Sequence, residues 1–197
     1  MRLLAILGAI VPGIVVSAQA AQPTLPHGAV SLVNQDTRGS KVALCADTGD
    51  PATQRGGKTV RSTAVWVGPA PNLRRVNAGA GACDPAWSPD GRTLAVTAAE
   101  GLWVFPADSA DGELRVRARS PLGSIEHAYR AFSQPRWSPD GILVALLVSN
   151  GGTSWVEVFE ASTGRLFYTS PPGQYSFSWN AARDLQVGDT HIQLSTR

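Results

Sequence analysis

Trp87-Ser88-Pro89-Asp90-Gly91 recurs as Trp137-Ser138-Pro139-Asp140-Gly141, fifty residues later. Pro85-Ala86 precedes the first copy and Pro135-Arg136 the second. Each copy reads as strand, turn, strand. Trp closes one strand, Pro sets φ for the first central turn position, Asp bonds its own backbone, and Gly takes the positive-φ position. Leu94-Ala95-Val96 follows Gly91 at the same offsets as Val144-Ala145-Leu146 follows Gly141. A repeat of this length is read before any local feature, because it sets the architecture.

Two weaker copies flank the pair. Gly39 is followed by Val42-Ala43-Leu44 at the same offsets but lacks Trp-Ser-Pro, and Phe177-Ser178-Trp179-Asn180 is followed by Leu185-Gln186-Val187. A third strand is expected at Ala64–Val67, Leu102–Phe105 and Trp155–Phe159, and a fourth at Leu73–Val76, Leu114–Ala118 and Leu166–Thr169. The turn Ala161-Ser162-Thr163-Gly164 joins strands three and four of one unit. No stretch beyond the N-terminus has helical periodicity. Four short strands per unit of about 40–50 residues spell an all-β, propeller-like fold. The sequence has room for about three complete four-stranded blades and an incomplete fourth. The blades are expected at 28–78, 82–120, 131–170 and 175–197.

These residues resemble the PD40, or TolB-like, family of WD40-like propeller repeats. There Trp-Ser-Pro-Asp-Gly precedes a small-apolar strand and then a strand rich in aromatic and β-branched residues. The resemblance covers most of residues 28–197 and is carried by the two full motifs. TolB-type proteins have an α/β domain ahead of the propeller and more blades than this sequence spells out. The resemblance implies a module that binds proteins or envelope components.

Residues 1–20 read as a secretory signal: Arg2, the apolar run Leu3–Val16, and Ala18-Gln19-Ala20 as the cleavage site. A mature start at Ala21 and a periplasmic or secreted location are expected, without stable membrane insertion. Cleavage leaves roughly 180 residues, enough for one domain with a sizeable core. The formal charge of +2 falls by one with Arg2, so charge does not point to nucleic acid or an anionic membrane. Two cysteines in an exported chain suggest a disulfide. Cys45 ends a second strand and Cys83 opens the next first strand, which lie on one face of a meander. Their pairing would staple the first blade to the second.

Ala52–Thr59 meets a loosened P-loop pattern, but the following Val60–Val67 reads as a strand, where a phosphate loop needs a helix. A polar loop between strands two and three is expected there. Trp87, Pro89, Asp90, Gly91, Trp137, Pro139, Asp140 and Gly141 are read as structural: the tryptophans between blades, the rest in the turns. Arg115, Arg117 and Arg119 alternate as on a solvated outermost strand. Asp108, Asp111 and Glu113 read as an acidic turn rather than a calcium cage. His27, His127 and His191 lack metal-ligand spacing, so no metal or cofactor is expected. No G-x-S-x-G elbow is present.

The expected function is an exported, non-catalytic binding propeller whose partner is a protein or envelope component. The alternatives are a small-molecule or glycan-binding propeller with hydrolase or lyase activity, and a truncated remnant of a larger propeller protein. Binding is expected on the longest irregular segments, Asp47–Arg61 and Arg119–Gln134. The second carries Glu126, His127, Tyr129, Arg130 and Phe132, residue types suited to interfaces. A fourth blade without its outer strand leaves two outcomes: the segment before Val30 supplies it, or a second copy pairs with the open edge.

Overall fold

The computed structural model describes residues 24–55, 58–118 and 130–195. Strands β1 (Ser31–Arg38), β2 (Lys41–Asp47), β5 (Thr63–Pro69) and β6 (Arg74–Arg75) form the first antiparallel sheet, in that spatial order. The second holds β7 (Cys83–Trp87), β8 (Thr93–Ala98), β9 (Gly101–Pro106) and β10 (Glu113–Arg117). The third holds β11 (Ala131–Trp137), β12 (Leu143–Ser149), β13 (Ser154–Glu160) and β14 (Leu166–Thr169), and the fourth β15 (Phe177–Ala181), β16 (Asp184–Val187) and β17 (Thr190–Gln193). The fold is all-β: three four-stranded sheets and one of three strands.

The polar loop expected at Ala52–Thr59 needs correction. Residues flanking its centre pair as a short hairpin, β3 (Thr53–Arg55) with β4 (Lys58–Val60). Thr53, Thr59 and Val60 favour extended backbone, and the two strands close on each other rather than joining a blade.

The core lies between the sheets. Period-2 alternation divides each middle strand between its two neighbours. Leu94 and Val96 of β8 pack with Ala43, Cys45, Val65 and Val67 of the first sheet. Ala95 of β8 instead joins Val144, Leu146 and Val148 of the third. Leu143 and Ala145, on the other face of β12, meet Phe177, Leu185 and Val187. Strands buried on both faces need unbroken apolar runs, which is why these stretches do not alternate in sequence.

The fourth sheet buries Phe177, Leu185, Val187 and Leu194 against the third, while Ser178, Asn180, His191 and Gln193 are exposed. Among the described residues, those before Val30 do not complete this sheet. Leu25 and Ala29 pack against Ala46, Ala64 and Trp66 of the first sheet, and the Val30 amide donates to the Asp47 carbonyl at 2.8 Å. Cys45 and Cys83 form a disulfide joining β2 to β7, with Cα atoms 5.0 Å apart. No described helix is long and apolar enough to cross a membrane.

Candidate functional site

Both full motifs fold alike. The Ser88 hydroxyl donates to Asp90 Oδ1 at 2.6 Å and accepts the Thr93 amide at 2.9 Å. In the second copy, Ser138 donates to Asp140 Oδ1 and accepts the Leu143 amide at 2.9 Å. Asp90 Oδ1 also takes the Arg92 amide at 3.0 Å, and Asp140 Oδ1 the Ile142 amide at 3.1 Å. The two serines are the most buried polar members of the motif, 2% and 0% exposed. Sequence reading gave them no role, although a Ser two residues before an Asp in a turn signals this bond. The hydroxyl of Ser88 and the amide of Arg92 hold the Asp90 carboxyl below its ordinary range.

The motif tryptophans link adjacent sheets. Trp137 Nε1 donates to the Ala86 carbonyl at 2.9 Å, and Trp179 Nε1 to the Arg136 carbonyl at 3.0 Å. The pairing Thr37 with Val42 matches Trp87 with Leu94 and Trp137 with Val144, so Thr37 holds the Trp position of the first sheet. The series breaks one step earlier: the buried indole N–H of Trp87 has no acceptor. Asp36 instead accepts the Trp87 backbone amide at 2.7 Å on Oδ2.

Each innermost strand carries a register shift before its last residues: at Leu32/Asn34, Cys83/Ala86, Ser133/Arg136 and Trp179/Ala181. Asp84 (φ 47°) and Gln134 (φ 51°) sit in the left-handed region at two of these bulges. Each is followed by a proline, a residue that strands admit at edges and bulges. Asn34, Asp84 and Gln134 thus hold one position on three successive strands. Asn34 Nδ2 donates to Asp84 Oδ1 at 3.1 Å, and the Gln134 amide to Asp84 Oδ2 at 3.2 Å. One carboxylate ties three sheets.

This row floors a groove of about 460 Å³, walled by Asp36, Arg38, Trp87, Arg136 and Trp137. Its carboxylates are engaged by protein donors: Asp84 as above, Asp36 by the Thr37 and Trp87 amides. Arg38 donates to the Pro89 carbonyl, at 2.9 Å from Nε. The Arg136 guanidinium lies 5.8 Å from the Phe177 ring centre. The carboxylates serve as braces, and the side chains of Gln35, Gln134 and Arg136 carry the free donors. Sequence reading missed this groove; Pro85 and Pro135 inside strands were its signal.

Of the residues expected to bind, Glu126, His127 and Tyr129 lie outside the described residues. Arg130 and Phe132 are brought together at the junction of the second and third sheets. Phe132 is buried among Val116, Val144 and Phe159. Arg130 stacks over Phe132 at 5.2 Å and pairs with Glu157, which is buried and also accepts from Trp155 Nε1 at 2.8 Å. Arg115 and Arg117 lie on the outermost strand β10, Arg115 paired with Glu113 at 2.8 Å. Asn77 Nδ2 donates to Asp111, and no three metal-ligating side chains cluster among the described residues.

No protein-family model matches the chain. It is 32% identical over 101 residues to the Tol-Pal system protein TolB of Anaeromyxobacter dehalogenans, a match covering 48% of this chain and 21% of that protein. The match therefore spans about a fifth of that relative's length. The fold is similar to Pyrococcus horikoshii acylaminoacyl peptidase (TM-score 0.57, 12% identity, 79% of this chain, 27% of that one). It is also similar to the β-propeller domain of the trilobed protease of Pyrococcus furiosus (0.54, 17%, 79% and 47%). A protein assigned as TolB from Agrobacterium tumefaciens aligns at 0.50, with 15% identity over 80% of this chain and 61% of that one. The repeated motif, the stacked sheets and these likenesses agree: the chain has a β-propeller fold and is similar, over about half of its length, to TolB.

Proposed function

We propose that the chain is an exported, non-catalytic propeller module that binds a protein of the cell envelope, and that the groove over Asn34, Asp84 and Gln134 receives it. The observation that carries this reading is the state of the groove's carboxylates. Asp36 and Asp84 are both engaged by amide donors, which suits bracing rather than proton transfer, while Gln35, Gln134 and Arg136 offer hydrogen bonds to a visitor. The likeness to a protein named for the Tol-Pal system supports an envelope partner, and the disulfide fits an oxidising compartment. Segment 119–129, with Glu126, His127 and Tyr129, is the competing candidate from the sequence. Self-association through the unpaired edge of β17 belongs to the same reading and is checked by light scattering.

A photo-crosslinker at Gln134, compared with one at Tyr129 and one at exposed Arg165, separates the surfaces in envelope extract. The groove reading expects one discrete adduct from position 134, lost when Arg136→Ala is added. An adduct from position 129 alone moves the site to the inter-sheet segment. Equal labelling from all three positions sinks the specific-partner reading.

A further inference from the structure

A second cavity, of about 180 Å³, lies between the first and second sheets at the end where their strands turn. It is lined by Lys41, Gly68, Asn72, Arg74, Trp87 and Asp108, among others. It is distinct in chemistry from the groove. Two cations from one sheet share it, and neither has a carboxylate partner. Lys41 Nζ donates to the Gly91 carbonyl at 2.8 Å and lies 5.8 Å from the Trp87 ring centre. Arg74 Nη2 donates to the Ala107 carbonyl at 2.8 Å, and its Nη1 is buried without an acceptor. Asp108, the one carboxylate in the lining, sits at an exposed turn. It makes no ion pair with either cation.

We propose that this cavity is a binding site for a small oxyanion of the phosphate or sulfate class. Two like charges lining one cavity at half-buried positions repel each other more than they would in water, because the local dielectric is lower. Carbonyl oxygens orient them but do not neutralise them. A tetrahedral anion would supply the missing charge and the acceptor that Arg74 Nη1 lacks. It would form charge-assisted hydrogen bonds, the stronger kind. Liquid water takes about 30 Å³ per molecule, so the cavity has room for a small anion with a few waters. A helix or nucleotide would not fit. Each cation already reaches a carbonyl in a turn of the second sheet's unit, Gly91 or Ala107, so a bound anion would also brace the two units. The disulfide pins them at their other end.

The test titrates the full, oxidised chain with sodium phosphate and, separately, sodium sulfate, against sodium chloride at equal ionic strength. The readout is the indole N–H resonance of Trp87 in a nitrogen–proton correlation spectrum, assigned with Trp87→Phe. The expected result is a saturable shift with phosphate or sulfate that chloride does not produce. Arg74→Gln and Lys41→Gln, each checked for native strand signal, should each weaken the affinity about tenfold, while Arg165→Gln leaves it unchanged. A linear response shared by all three salts overturns the proposal. So does saturation that survives both substitutions.

Discussion

Trp87 and Trp137 hold the same place in the same motif, yet only Trp137 has an acceptor for its indole N–H. Replacing either with Phe leaves a similar void. Trp137→Phe also removes the indole bond to the Ala86 carbonyl, whereas Trp87→Phe removes a donor that was already unpaired. Trp137→Phe is expected to cost about 1 kcal/mol more than Trp87→Phe, as read from urea unfolding. Asp90 carries a pH dependence at the same scale. Its folded carboxyl is held below the ordinary value by Ser88 and the Arg92 amide. Its contribution is therefore present above the unfolded pKa of about 3.9. It is lost as pH falls through the lower folded value. Asp90→Asn should flatten this part of the acid limb. Unfolding midpoints from about pH 2 to pH 6 check the sign, and an unchanged slope would remove Asp90 from the account.

At the scale of elements, the links between sheets matter more than the sheets themselves. Among the described residues, adjacent blades share no strand ladder, so apolar contact and a few cross-links fix their spacing. The Cys45–Cys83 disulfide spans 38 residues, and a closed loop of this size restricts the unfolded chain by about 3–4 kcal/mol on the chain-entropy model. Cys45→Ala/Cys83→Ala is expected to lower stability by that order, measured against the oxidised parent by chemical denaturation. At the junction of the second and third sheets, Arg130 pairs with Glu157 within the third sheet and lies over Phe132, which packs against the second. Glu157→Ala would leave Arg130 facing an apolar junction with Phe132. A loss of about 3 kcal/mol is expected, where a surface pair such as Glu160–Arg165 should give less than about 1 kcal/mol. Comparable losses for the two would show that the junction is wetter than its packing implies.

At the scale of the whole molecule, the four sheets form a stack, and the inner strands of the first three together make the groove. Bulges, prolines and carboxylate caps block the groove-facing edges, the usual protection against edge pairing. Asp84 bonds to both neighbouring sheets, so Asp84→Ala should loosen the groove before it melts the stack. Hydrogen exchange is expected to quicken at the Gln134 amide while the β8 and β12 amides stay protected.

Much of the fold was legible in the chain because it rests on local chemistry repeated in register. A Pro-Asp-Gly turn dictates its own reversal, and unbroken apolar runs such as Leu143–Val148 require burial on both faces, so the repeat by itself determined strands, turns and stacked four-stranded units. The cysteine pairing followed from the same meander, since it needs only the order of strand ends. The hairpin of β3 with β4 was not legible, because a short polar strand is defined by its partner and not by periodicity. Arg130 and Phe132 have interface chemistry in sequence, yet the stack turns both toward a junction. The groove and the unpaired cations of Lys41 and Arg74 exist only where residues fifty or thirty-three apart meet. Tertiary structure alone decided these, because hydrogen-bond satisfaction and charge neutralisation depend on which groups arrive together, and no local pattern records an acceptor that fails to arrive.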